Sequence, residues 1–174
     1  MNKEILVLQT GLQRDGLYRG VIDGEFGPLT LAAVMQRAGA GCPAYLRIAA
    51  AEMGVSEIYG ERDNPRIIAY HAKTTLKAQA DGVPWCASFV NWCMAQVSIK
   101  GTNSAGAISF ATWGVLGTGS VGDVYVMSRP GGNHVAFVVH MTKTHVWLLG
   151  GNQGNKVSIK CMTRSREKSI RRAK

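Results

Sequence analysis

Val83-Pro84-Trp85-Cys86-Ala87-Ser88-Phe89-Val90-Asn91-Trp92-Cys93 sets one cysteine directly after a proline turn and at the head of an apolar pattern of helical spacing. Pro84 disfavours helix in the residue before it, and Ala87, Val90 and Met94 then recur three and four residues apart. A helix starts here, with Cys86 in its first turn. The free N–H groups and positive dipole end of that turn favour a thiolate. With a histidine partner, such a thiol moves from a pKa of about 8.5 into a range of roughly 3.5–7.5. A packed core cysteine suits the same position equally well, so the decision rests on partners elsewhere in the chain.

Downstream, the character changes after Gly117. Val121 to Met127, Val135 to Met141, His145 to Leu149 and Val157 to Met162 are short β-branched or aromatic runs separated by Gly, Asn, Arg-Pro or Lys-Thr turns, and they read as an antiparallel meander. Upstream lie helical patterns. Pro43 opens one that carries Leu46, Ile48, Ala49 and Met53 and is ended by Gly54, and Asn64-Pro65 caps another with Ile67, Ile68 and Tyr70. Lys73 to Asp81 reads as a connection, and Ser104 is expected to cap a helix from Ala105 to Leu116. Helices first and strands afterwards argue for an α+β domain with the cysteine helix packed on the sheet.

The sheet supplies partners. Gly131-Gly132-Asn133-His134 leads into Val135-Ala136-Phe137-Val138-Val139, which puts His134 at a strand entrance. Leu148-Leu149-Gly150-Gly151-Asn152-Gln153 puts an amide just beyond the next run. If the two runs are a hairpin, positions 134 and 152 share one end of it. Cysteine, histidine and asparagine then follow in the chain order of papain-like acyl-transfer sites.

These stretches, with Gly122-Asp123-Val124-Tyr125-Val126-Met127-Ser128-Arg129, resemble the cysteine peptidoglycan hydrolases of the CHAP and NlpC-type group over about Pro43 to Met162. The resemblance implies a papain-like fold, Cys86 as nucleophile, His134 as general base and acid, and Asn152 as the residue orienting the imidazole. Trp85, the tryptophan best placed to line a groove, and Asn133 and Gln153 are the candidate substrate contacts. Asn133 stands where the family commonly has glycine, and many members have Glu where this chain offers Asn152 or Gln153.

Residues 5–38 divide into two helical patterns around Gly16-Leu17-Tyr18-Arg19-Gly20-Val21-Ile22-Asp23-Gly24-Glu25-Phe26-Gly27-Pro28. With Leu8-Gln9, Leu12, Thr30 and Ala33-Val34, this stretch is similar to a peptidoglycan-binding module that usually has a further helix upstream. Tyr18, Asp23 and Phe26 are its implied wall-contacting residues, and a helical hairpin merely packed on the next domain is the competing reading. The expected division is therefore a shortened binding unit at 1–39 and a cysteine amidohydrolase domain at 43–174.

Composition and spacing set the remaining expectations. The four cysteines, 42, 86, 93 and 161, form no Cys-x-x-Cys pair, which suggests neither a zinc site nor a disulfide framework. Cys93, two turns beyond Cys86, is expected to pack in the core. His140 and His145 lack accompanying ligands, His71 is expected to be exposed at a helix end, and Asp123 to serve a turn. No metal or cofactor is expected. A formal charge of +9 favours a polyanionic contact, with much of the excess in Arg164, Arg166, Lys168, Arg171, Arg172 and Lys174. That segment reads either as a basic tail for an anionic envelope or as a charged edge strand. No basic stripe interleaved with aromatics points to nucleic acid, no run has the length of a membrane span, and a monomer is expected.

The functional expectation is hydrolysis of a peptidoglycan amide, by an N-acetylmuramoyl-L-alanine amidase or a stem-peptide endopeptidase. The alternative is a non-catalytic protein that binds cell wall or polyanions. With no signal peptide evident at the start, the combination resembles a bacteriolytic, antimicrobial phage endolysin held in the host cytoplasm until its release to the wall.

Overall fold

The computed structural model describes residues 1–174. Five α-helices come first: α1 (Lys3–Arg14), α2 (Pro28–Ala38), α3 (Ala44–Ala51), α4 (Pro65–His71) and α5 (Cys86–Ala95). Six strands follow: β1 (Val115–Leu116), β2 (Val124–Arg129), β3 (Gly132–Met141), β4 (His145–Gly150), β5 (Ser158–Thr163) and β6 (Glu167–Arg172). They form one antiparallel sheet in the order β1-β6-β2-β3-β4-β5. This is the α+β architecture expected, and it is compatible with a papain-like fold.

Local chemistry sets the helix starts. Asn2 Oδ1 accepts from the Glu4 and Ile5 N–H groups, Asn64 Oδ1 accepts from the Arg66 N–H, and Pro28 and Pro65 occupy first-turn positions. Every residue of α5 from Cys86 to Met94 is buried, so this helix is enclosed on all sides. Val124, Val126, Val135, Phe137 and Val139 alternate onto the helix-facing core, while Tyr125, Met127, Ala136, Val138, Val146 and Leu148 form a smaller cluster on the other face.

The expected helix from Ala105 to Leu116 does not form. Residues Ala107–Thr112 make a 3-10 segment, Trp113 turns to extended backbone with its indole donating to Lys100 O at 2.9 Å, and Val115–Leu116 join the sheet as β1. Of the apolar anchors expected for that helix, Phe110 is buried and packs edge to face with Trp113, whereas Ile108 is exposed because the 3-10 backbone turns it outward.

The basic C-terminal segment is not a tail. It is β6, inserted between β1 and β2, and several of its cations are engaged within the fold. Arg172 pairs with buried Asp123 through Nε at 2.7 Å and Nη2 at 3.0 Å, and Arg171 donates to Ala111 O. Arg164, just before β6, pairs with Glu167 at 3.0 Å. Asp123 Oδ2 also accepts the N–H groups of Thr118, Gly119 and Ser120, which gives Asp123 the turn role expected. Asp123→Ala is expected to cost at least about 2 kcal/mol, because it strips an acceptor from three N–H groups and an arginine together. Thermal denaturation of the two proteins measures it.

The N-terminal hairpin shares the main core, in which Ile5, Leu8, Leu12, Leu31 and Val34 are continuous with Tyr45, Phe89 and Phe137. Phe26 lies against His140 with ring centroids 6.5 Å apart, and Glu4 is 3.5 Å from His145. The residues assigned to wall contact are turned largely to internal work. Gln9, fully buried, donates from Nε2 to Tyr18 Oη (3.1 Å), Asp23 Oδ1 (2.8 Å) and Glu25 O (3.0 Å) and accepts the Asp23 and Gly24 N–H groups. Tyr18 is itself buried and donates to Val21 O. Tyr18 and Asp23 thus hold the turn together, and half-buried Phe26 packs on the sheet. Tyr18 has a structural role, while Asp23 stays exposed at the turn with its Oδ2 free of internal bonds.

Candidate active site

The β2–β3 hairpin turns through Pro130-Gly131, and its pairing sets His134 opposite Met127 near the entrance of β3. On the other side, β3 pairs with β4 only from Phe137 opposite Leu149 onward, so the strands separate beyond Gly150. The start of α5 packs into that gap. A Cβ on Gly151 would come within 2.4 Å of the Trp85 ring and 2.8 Å of Phe89 Cβ, so only glycine admits this approach. Cys86 thereby sits near the backbone of Val135, the residue after His134. Cys86 and His134 are both buried, at 3% and 4% exposure.

The imidazole partner is Gln153. Its Oε1 lies 3.2 Å from His134 Nε2, while its Nε2 donates to Leu148 O (3.1 Å), Gly150 O (3.4 Å) and Ser158 O. Three carbonyls around the amide nitrogen fix which end of the side chain faces the ring. The oxygen must receive a proton from His134 Nε2, so the tautomer is the one whose Nδ1 carries a free lone pair. That Nδ1 is buried and has no hydrogen-bond partner in the chain. Asn152, the residue expected in this role, instead takes a left-handed backbone (φ 56°) and lines a cleft next to the histidine. The correction is one residue. Asn152 turns the chain so that its successor points back at the imidazole, a geometry that strand-end spacing does not reveal.

The loop carrying Gln153 is held from outside the sheet. Residues 54–57 bond to it through Gly54 N–H to Val157 O (3.0 Å), Val157 N–H to Val55 O (2.8 Å) and Glu57 N–H to Asn155 O (2.9 Å). Glu57 Oε1 also accepts the Trp85 indole N–H at 2.8 Å. Trp85 is fully buried among Tyr70, Phe89 and Gly151, so it clamps the helix start to this loop and does not line a substrate groove as expected. Asn133 is half-buried opposite Ser128, one residue before the histidine.

Burial governs the protonation states. It pushes the Cys86 thiol up, against smaller opposing effects from the Val135 N–H, the Arg129 charge and the Ala87 and Cys86 N–H groups. A helix start alone was expected to lower this thiol, but loss of solvent outweighs the dipole here. Burial likewise lowers His134 to about 4, with the Gln153 hydrogen bond opposing and Arg129 reinforcing the shift. Both shifts favour the uncharged forms, a thiol and a neutral imidazole, and no hydrogen bond joins the two side chains.

A pH dependence follows with a defined sign. The role expected of His134 as general base needs its neutral form, and its folded pKa is depressed from 6.5 to about 4. Acid-side loss of kcat/KM is expected near pH 4 and not near 6.5, with activity retained above that limb. Stability should also fall with decreasing pH between 6.5 and 4, at about 1.4 kcal/mol per pH unit from this group, because only the unfolded imidazole takes a proton there. Rate profiles and urea midpoints across that window test both.

The other cysteines and histidines lie apart. Cys93 is fully buried, its thiol pushed well up by desolvation, which gives it the packing role expected. His71 is fully buried, not exposed, with Nδ1 3.0 Å from Ser88 Oγ, because α4 packs along α5 and covers its own end. His140 tilts on Trp147 at 5.1 Å, and no group of three or more His, Cys, Asp or Glu side chains could hold a metal ion.

A helix-borne cysteine, a strand-borne histidine and an amide partner at the end of the neighbouring strand are compatible with a papain-like site. Residues 78–152, which span all of these except Gln153, match the CHAP domain. That stretch of the chain is thus similar to a CHAP domain. A comparison with curated proteins gives no match.

Proposed function

We propose that the chain hydrolyses an amide bond of peptidoglycan with Cys86 as nucleophile, His134 as general base and acid, and Gln153 as the residue that positions the imidazole. The observation that carries this reading is the buried, unpartnered Nδ1 of His134, left as an acceptor by the Gln153 bond, on a strand whose backbone at Val135 lies beside the Cys86 sulfur. The thiol proton passes to Nδ1, and sulfur attacks the amide carbonyl. The N–H groups of Cys86 and Ala87, which have no carbonyl to serve in the first helical turn, are available to the oxyanion. His134 returns the proton to the leaving amine, whose C–N bond breaks to give a thioester. Water, deprotonated by the same imidazole, cleaves the thioester to a carboxylic acid and restores the thiol.

The reading extends to host lysis of the phage endolysin type, with the protein made in the host cytoplasm and acting at the wall once the membrane is breached. The binding-module resemblance at residues 5–38 supports this. In that case cells expressing the chain stay intact until chloroform is added and then lyse.

The deciding experiment is turbidity loss of purified walls with and without iodoacetamide, followed by mass spectrometry of the products. Thiol-sensitive clearing with a new amine on the first stem alanine supports an amidase, and any other new peptide terminus supports an endopeptidase. Retention on walls without clearing would point to a binder.

A further inference from the structure

We propose that a basic cleft beside His134 is a subsite for a free carboxylate on the peptide part of the substrate, formed by Arg129, Lys160 and Arg166. The proposal rests on the hydrolase reading above and specifies its substrate class. The cleft has a volume of about 180 Å³ and is lined by those three cations together with His134, Asn152 and Met127. That space admits a carboxylate with its attached carbons.

Its charge is one-sided. Arg66, Arg164 and Arg172 each hold a carboxylate elsewhere in the fold, whereas none of the three cleft cations has an acidic partner. Like charges gathered in a recess repel one another, and an anion seated among them removes that repulsion. The three cations come from three places: the end of β2, the middle of β5 and the 3-10 turn at Arg164–Arg166. The tertiary fold, not a local charge run, assembles them. Gly154 (φ 72°) keeps the Lys160 side of the recess open, since a Cβ there would stand 3.2 Å from Nζ. Met127 and Met162 add a deformable apolar wall suited to the carbons behind a carboxylate.

The cleft shares His134, Asn152 and Gln153 with the candidate active site, so an anion bound there lies on a group attached close to the scissile bond. It would also act on the chemistry. Arg129 disfavours the protonated imidazole, and a carboxylate paired with Arg129 relieves that effect when His134 must accept the thiol proton. Substrate lacking the carboxylate should then bind less tightly and also react more slowly.

The test uses the full chain and pairs of synthetic muropeptides that differ only in having one stem carboxylate free or amidated. Wild-type protein is expected to prefer one free-carboxylate member by about tenfold or more in kcat/KM, the usual value of a charge-assisted contact. Lys160→Gln and Arg166→Gln should each shrink that ratio toward one, and Lys160→Arg should preserve it. A ratio unchanged by both glutamine variants overturns the proposal while leaving the hydrolase reading intact. Calorimetry with Cys86→Ala protein and the same peptides supplies the second arm. Carboxylate-selective binding that depends on Lys160, in a chain whose wild type cleaves nothing, would keep the anion site and reject the hydrolase. Absence of any selectivity in both arms rejects the subsite.

Discussion

Cys86→Ala is expected to lower wall clearing by at least about 10⁴-fold, because loss of a covalent nucleophile leaves only binding and oxyanion stabilisation to act. Cys86→Ser should fare little better. The serine hydroxyl is far less acidic than a thiol, and the imidazole that must deprotonate it has its pKa lowered to about 4 by burial. The helix should survive either change, since Cys86 contributes only a small buried side chain at the first position of α5 and the adjoining Trp85 and Phe89 provide the packing. Circular dichroism should therefore overlay the parent while turbidity loss vanishes. A Cys86→Ala protein that still cleared walls at the parental rate would sink the mechanism. The control is Cys93→Ala, whose fully buried thiol lies in the core: it should lower the thermal midpoint and leave the chemistry in place.

The second large effect separates two adjacent residues. Gln153→Ala is expected to reduce kcat by roughly 10²–10⁴-fold, the range associated with a general base that loses its tautomer and orientation. Asn152→Ala should cost only a few-fold, because no side-chain hydrogen bond from Asn152 reaches the imidazole; its φ of 56° makes some loss of stability the main effect. Gln153→Glu is the informative intermediate. It keeps an acceptor for His134 Nε2–H, but its second oxygen would face the carbonyls of Leu148, Gly150 and Ser158, which now receive the amide N–H. Partial activity with a lowered melting temperature is expected. Equal losses at 152 and 153, with unchanged thermal midpoints, would mean that the amide acts on substrate and not on the ring.

The contrast between these two positions shows where sequence reading stopped. Spacing identified an amide at the end of β4, and Asn152 and Gln153 both satisfied it. Choosing between them required the backbone dihedral of Asn152 and the three carbonyls that orient Gln153, and both arise from how the 151–157 loop is pinned by residues 54–57. Trp85 was misassigned for a related reason. A tryptophan next to a nucleophile suits a groove wall or a core anchor equally, and only Glu57, twenty-eight positions away, decides by accepting its indole proton. Gln9 carried no functional signal beyond its place in a short pattern, yet it organises the whole hairpin turn.

The sequence by itself determined the α+β class, the start of α5 at Cys86, the cap at Asn64, the core role of Cys93 and the placement of His134 at a strand entrance. Each depends on local rules: proline geometry, capping side chains and apolar periodicity act within a few residues, and so are legible one segment at a time. Tertiary structure alone decided the protonation state of Cys86, the residue that holds His134, the enclosure of the C-terminal segment as β6 and the gathering of three unpaired cations beside the candidate active site. Those depend on burial and on contacts between residues far apart in the chain. A helix dipole is fixed by its own turn, but the loss of solvent that overrides it here is set by every element packed around Cys86.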